Sequence, residues 1–323
     1  MNVNNAVEVI EYRNYKSSDY DSYVAFCADN FGKNNYQLNR SYLEWLYDEP
    51  GNSFLVAVCE NKIIGIMHNF KAPVVINDEY KIVTVLHDLM VDDKYQGGAG
   101  FHLMQNGLKS DEYVVLPGAL GRISRAYSRL GSKSFDSFWY RKFQLPRSFF
   151  SSKKIKGLTK YKDLASKQDL LFGHNKEESN EFLARALKKY HSSDLFSGYF
   201  KWRFSSKNAP LTFYVADPEG QNTVLFVIGK RGLLPYVRIF YTHSDNELLL
   251  NNILKFIETI TSKIGIPIIL FTTFECSPPA KLRYKMYADV PISYVYSKNK
   301  NHDFVPKVPT FCSDIGFDGL NPF

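Results

Sequence analysis

Two short stretches, far apart in the chain, do most to limit what it can fold into. SYLEWLY (Ser41–Tyr47) and GYFKWRF (Gly198–Phe204) both read small, Tyr, apolar, charged, Trp, any residue, aromatic. Trp45 and Trp202 are 202 − 45 = 157 positions apart. The same order of elements follows each. SFLVAVCENKIIGIMHNF and LTFYVADPEGQNTVLFVIGKR are strand pairs, and EYKIVTVLHDLMV and LPYVRIFYT are long strands. A helix, a strand and another helix come next in both copies, the second copy ending in PPAKLRYKMY. So long a period means two related domains, not a solenoid, and 323 residues suit two. Residues 1–150 and 177–323 form the two halves, with a polar, Lys-rich linker or surface excursion at 151–176. The tail VPKVPTFCSDIGFDGLNPF carries aromatics that suggest docking.

The first half is legible in more detail. SSDYDSYVAFCADNFG reads as a helix ending at Gly32, and NRSYLEWLYDEP as a short helix stopped by Pro50. Two strands flank a turn at Glu60–Lys62, the second continuing past Pro73. EYVVLPGAL is a strand, GRISRAYSRLG a helix, and SFDSFWYRKFQL a strand that closes the first sheet. The fold class is α/β (α+β). Each domain is a mixed, mainly antiparallel twisted sheet flanked by helices.

Between the fourth strand and its helix stands KYQGGAGF. Glycines there leave backbone N–H groups unobstructed at the positive end of a helix dipole, which makes a cradle for phosphate. A dinucleotide fold would place such a turn after the first strand of a βαβ unit, and a Walker loop needs G-K-[ST]; neither pattern is present. In the second half the corresponding segment is HSDNELLL, without glycine, so one cofactor site per chain is expected.

DLMVDDKYQGGAGFHLM and RAYSRLGSKSF resemble the GNAT acyltransferase superfamily, whose members use acyl-coenzyme A, over the whole N-terminal half. The resemblance implies that the fourth strand splays from the fifth and pairs with the pantetheine arm through Leu89, Met90 and Val91. It implies that Gln96, Gly97, Gly98, Ala99 and Gly100 hold the pyrophosphate, in a loop one residue shorter than the family's R/Q-x-x-G-x-G/A. Tyr127 matches the family Tyr that protonates the departing thiolate; packing beside Leu130 is the other reading. A base must take a proton from the acceptor amine. His87 and Asp88 are the candidates. Strict alternation puts them on opposite faces, so that only one reaches the cleft. The alternative for His87 is a hydrogen-bonded core histidine. His68 and His102 read as structural or surface groups. Arg122, Arg125 and Arg129 share one helix face, either solvated or meeting phosphates or an anionic acceptor.

The net charge of +7 and pI near 9.0 favour polyanionic ligands without choosing among them. The four cysteines are scattered without C-x-x-C, so no metal is expected and a reducing cytosol fits. The first residues lack the apolar core of a signal peptide, and no stretch is long enough to span a membrane. Tandem proteins of this kind resemble acyltransferases of bacterial surface-polysaccharide pathways. That implies transfer of acetyl from acetyl-CoA to an amino sugar, free or nucleotide-linked, in the cytoplasm, with no nucleic acid partner. The rival readings are a FemAB-like aminoacyl transferase of the cell envelope and a non-catalytic binding protein with a decayed loop.

Overall fold

A computed structural model describes residues 9–32, 36–47, 53–76, 79–96, 98–119, 121–135, 138–151, 154–155, 157–176, 198–199, 201–205, 209, 211–231, 233–273, 282–286 and 292–298. Gly97 and the tail beyond 298 lie outside them. The chain forms two compact units. The first holds Met1–Ala72, Val83–Ser134 and Ser293–Asp303; the second holds Pro73–Ile82 and Phe135–Ile292.

The first unit is built on strands β1 (Ile10–Asn14), β2 (Ser53–Cys59), β3 (Lys62–Ile76), β4 (Glu79–Val91), β5 (Tyr113–Ala119) and β6 (Lys133–Phe135). β2 and β3 form a hairpin whose turn residues, Glu60 and Asn61, both have positive φ (49° and 61°). Such mirror-image turns match the right-handed twist of the strands. Helices α1 (Tyr20–Phe31) and α2 (Arg40–Tyr47) cover one face, where Tyr23, Phe26 and Leu43 pack with Phe54, Val56 and Ile66. Helices α3 (Ala99–Leu108) and α4 (Gly121–Arg129) serve the other, where Leu103, Met104 and Leu108 join Met67, Leu86 and Val114. Each such side chain contributes roughly 1.5–3 kcal/mol by leaving water. α3 lies so close to the sheet that a Cβ on Gly107 would stand 2.8 Å from Leu86 Cδ1.

The second unit repeats the plan with β8 (Leu171–His174), β9 (Phe213–Ala216), β10 (Thr223–Arg231), β11 (Leu234–His243), β12 (Ile268–Thr273) and β13 (Lys285–Met286). Helix α6 (Glu247–Lys263) packs on this sheet, and the short α5 (Lys162–Ser166) precedes it in the chain. Trp45 and Trp202, the markers of the repeat, are both buried.

The strand orders carry a correction. The first sheet runs β1-β2-β3-β4-β5-β14-β6, where β14 is Ile292–Ser297. The second runs β13-β7-β12-β11-β10-β9-β8, where β7 is Phe138–Phe143. SFDSFWYRKFQL therefore does not close the first sheet as one strand. It breaks into β6 and β7, and β7 pairs with β12 from Phe143↔Ile268 to Phe138↔Thr273. Each half gives its penultimate position to a strand from the other half of the sequence. A strand pattern specifies extended backbone and a buried face, but not which neighbour supplies the ladder.

Two further expectations change. The stretch 151–176 is not a linker, since Ile155, Leu158, Ala165, Leu170 and Phe172 enter the core of the second unit. Its lysines drew the reading away from these apolar positions. PPAKLRYKMY is no helix over its described part, because Lys285 and Met286 pair as a strand with Arg141 and Tyr140; the rest lies outside the described residues.

The segment after β7 is strapped to the end of α6. Arg147 N donates to Ser262 O (2.9 Å), Ser148 Oγ to Lys263 O (2.6 Å) and Ser262 Oγ to Leu145 O (2.8 Å). Gly265 ends the helix with φ 92°, and a Cβ there would sit 2.5 Å from both Phe150 N and Ser148 O. Gly265→Ala combines a left-handed backbone with a clash against main chain that cannot move aside. It is expected to lower stability by roughly 2–4 kcal/mol, measured as a fall in the urea midpoint.

Candidate active site

β4 and β5 are parallel neighbours, but their ladder holds only Thr84↔Val114 and Val85↔Val115 among the described residues. Beyond Val85 the two strands run on, β4 to Val91 and β5 to Ala119, without pairing. One edge of Leu86–Val91 is thus left without a strand partner. Leu86 and Leu89 both pack in the core beside α3, while Met90 packs on the α1–α2 side. Residues three apart share a face only where the strand contains an extra residue. That residue is Asp88, whose φ is 52°. A bulge of this kind re-aims side chains next to functional sites, and Asp is among the few types that accept left-handed backbone.

The bulge overturns the expectation that His87 and Asp88 point to opposite faces. His87 Nδ1 and Asp88 Oδ2 are 3.3 Å apart, with side chains only 1% and 9% exposed. The pair lies near Gln37, whose Nε2 donates to Asp88 Oδ2 (3.3 Å). His87 is not the hydrogen-bonded core histidine of the bland reading: among the described residues neither ring nitrogen has a hydrogen-bond partner. The bonded histidine is His68, which meets Tyr23 Oη at 3.3 Å and Tyr47 Oη at 2.6 Å. His102 lies beside Tyr12, with ring centroids 5.2 Å apart and the planes tilted by 47°.

Burial sets the protonation of the pair. It pushes the Asp88 carboxyl up to about 8 and the His87 imidazole down to about 3. The ordinary histidine value does not apply to His87 in this setting. Asp88 is the member that titrates near neutrality.

The loop follows directly. Asp92 caps a 3₁₀ turn at Asp93–Tyr95 by accepting from Lys94 N (3.0 Å), and the exposed Gln96 bonds Asp93 Oδ1 through its amide. Gly98 is the N-cap of α3, with φ −84° and no side chain to occupy the first N–H groups. A Cβ on Gly98 would meet nothing within 4 Å, and one on Gly100 only Val91 Cγ2 at 3.5 Å. Neither Gly98 nor Gly100 is required by backbone strain or by close packing. They leave the helix end open to something from outside. Ala99 is buried beneath them. The second unit is different: Asn246 caps α6 with its own side chain, accepting from Leu249 N at 3.1 Å. One helix end is already satisfied and the other is not.

Tyr127 is buried on α4, and burial raises its phenol further above the ordinary value, so it stays protonated. Its ring lies 6.0 Å from Tyr294, on β14. Tyr294 Oη contacts Ser124 Oγ at 2.5 Å, and Ser128 Oγ donates to it at 3.5 Å. Tyr294 and Gln37 carry no motif; only the fold brings them to the site. Arg122 and Arg125 are exposed.

This sheet, with one mixed parallel pair that separates beside a bulge and an uncapped helix, decides the architecture. The fold is that of the GCN5-related N-acetyltransferases. No family model and no curated protein matches the sequence. Among solved structures the chain is similar to a GCN5-related N-acetyltransferase from Kribbella flavida (TM-score 0.58, 11% identity, covering 90% of this chain and 71% of that one). It is also similar to Saccharomyces cerevisiae N-myristoyltransferase with bound myristoyl-CoA (0.57, 8%, 89% and 79%). A third is the GCN5-related glucosamine N-acetyltransferase region of a fungal multi-domain GH3 β-N-acetylglucosaminidase (0.57, 14%, 90% and 38%). In this GNAT fold, both units contribute to the match, since each comparison covers about nine-tenths of the chain. Among the described residues no His, Cys, Asp and Glu group could hold a metal. No described helix is long and apolar enough to cross a membrane.

Proposed function

We propose that this chain is an acyl-coenzyme A-dependent N-acyltransferase. The observation that carries the reading is the β4–β5 ladder stopping at Val85, followed along the same strand by the His87–Asp88 pair and then by the uncapped end of α3. Acetyl-CoA would lie along the unpaired edge of Leu89, Met90 and Val91, with its pyrophosphate on the N–H groups of Gln96 to Gly100. The amine nitrogen attacks the thioester carbonyl carbon, the carbon–sulfur bond breaks, and Asp88, once ionised, takes the amine proton. Tyr127 gives its proton to the departing thiolate and recovers one from solvent. His87, neutral and 3.3 Å from Asp88, lines the site beside the carboxylate. Tyr294, through Ser124 and Ser128, fixes the helix that carries Tyr127. Arg122 and Arg125, exposed on that helix, suit an anionic portion of either substrate.

For the acceptor we infer the amine of an amino sugar, free or nucleotide-linked. The glucosamine N-acetyltransferase region among the similar structures supports this class. One coenzyme A per chain follows from the side-chain cap on α6.

Calorimetry with acetyl-CoA and a transfer screen over amino sugars and their nucleotide-linked forms test the reading. Gly98→Val is expected to leave the thermal transition in place, because its φ is ordinary and the space is open. It should weaken acetyl-CoA binding by at least about tenfold, since the branch blocks backbone approach to phosphate. Normal binding by this variant would move the cradle elsewhere.

A further inference from the structure

The second unit carries an apolar surface that the transfer chemistry does not use. Tyr236, Ile268 and Phe143 stand in one row across β11, β12 and β7. Everything just before β11, just before β12 and just after β7 therefore emerges at the same end of this sheet. Five large apolar side chains stand exposed there: Leu233 (90%), Leu234, Phe143, Leu145 (90%) and Phe149 (96%). Single exposed apolar residues are ordinary, but five at one sheet end are not. The backbone beneath them is held, since the 145–148 segment is bonded to the end of α6.

The charge around them has one sign. The described residues of 144–157, 229–235 and 263–267 include Arg147, Lys154, Lys230 and Lys263 and no Asp or Glu. Lys142, on the core face of β7, is already paired with Glu258 (2.6 Å) and adds nothing.

We propose that this end of the second unit is a docking surface for an anionic lipid bilayer, on which the protein sits peripherally. Leu and Phe side chains would enter the headgroup–acyl boundary while the flanking cations meet lipid phosphates. Nucleic acid fits less well, because Leu145, Leu233 and Leu234 offer a phosphate backbone nothing and have no π-face for bases. A second copy fits less well because it would bring two basic surfaces together.

The test is co-sedimentation of the full chain with vesicles of phosphatidylcholine alone and with one-third phosphatidylglycerol. Binding to the anionic vesicles is expected. It should fall at least about tenfold in the triple variant Leu145→Ser, Phe149→Ser, Leu233→Ser and fall with added salt. These side chains are too exposed for the substitutions to disturb folding, which an unchanged thermal transition would verify. Arg147→Glu should weaken binding separately. No binding to anionic vesicles overturns the proposal. So does equal binding by the triple variant, which would mark a purely electrostatic surface of the kind that takes nucleic acid. A concentration-dependent dimer abolished by the triple variant would assign the surface to a second copy instead.

Discussion

Asp88→Asn is expected to unfold at a higher temperature than the parent at pH 8 while transferring acyl groups roughly 10²–10⁴-fold more slowly. The two effects have one cause. Asp88 is buried, and burial holds its carboxyl up to about 8. Between the ordinary carboxylate range and about 8, the unfolded chain releases a proton that the folded chain keeps. Stability therefore falls as pH rises through that window, by about 1.4 kcal/mol per unit at most. His87 runs the other way. Its folded value of about 3 means that below about 6.5 the unfolded chain takes a proton the folded chain refuses, so stability falls as pH drops. The two slopes oppose each other between about pH 4 and 6.5, and only the Asp88 slope remains from there to 8. Asn removes that slope, keeps an oxygen for the Gln37 amide, and tolerates the 52° φ at this bulge. The parent's kcat/KM should climb as pH rises through about 8, when the carboxylate forms; the Asn variant should lack that rise. Denaturation midpoints and rates from pH 5 to 9 provide both readouts. An Asn variant no more stable than the parent at pH 8 would show that Asp88 is not held protonated. Unchanged turnover would remove it from the chemistry.

Residues 1–176 produced alone are expected to be insoluble or to lack a cooperative unfolding transition, and adding 177–323 should restore both. A division at that point looks clean in the sequence, but it removes β14 from between β5 and β6. Two strand edges lose their ladders at once. Tyr294 leaves the core beside Tyr127, a loss on the order of 3–5 kcal/mol for a large buried aromatic, and Ser124 and Ser128 lose their shared partner. β7 in turn is left without β12 and β13. A monomeric 1–176 fragment with a sharp transition would mean that the first sheet closes without β14.

The sequence by itself determined the duplication, most element types, and the site of the glycine loop. Those signals are local: a Trp-centred helix, alternation in strands, glycines between a strand and a helix. It also singled out His87, Asp88 and Tyr127 as the groups to examine. It could not say that His87 and Asp88 lie together, because a bulge is one extra residue and alternation has no mark for it. Nor could it give their protonation, which depends on how completely Gln37, His68 and the surrounding aromatics exclude water. It explained the glycines by unobstructed N–H groups, and at Gly98 the backbone is ordinary and the space beside it open. Above all, FWYRKF announces a strand but not its partners, and ISYVYS is not among the strands read from the sequence at all. Which sheet each one joins is settled by pairing between residues more than a hundred positions apart, and only the tertiary structure decides that.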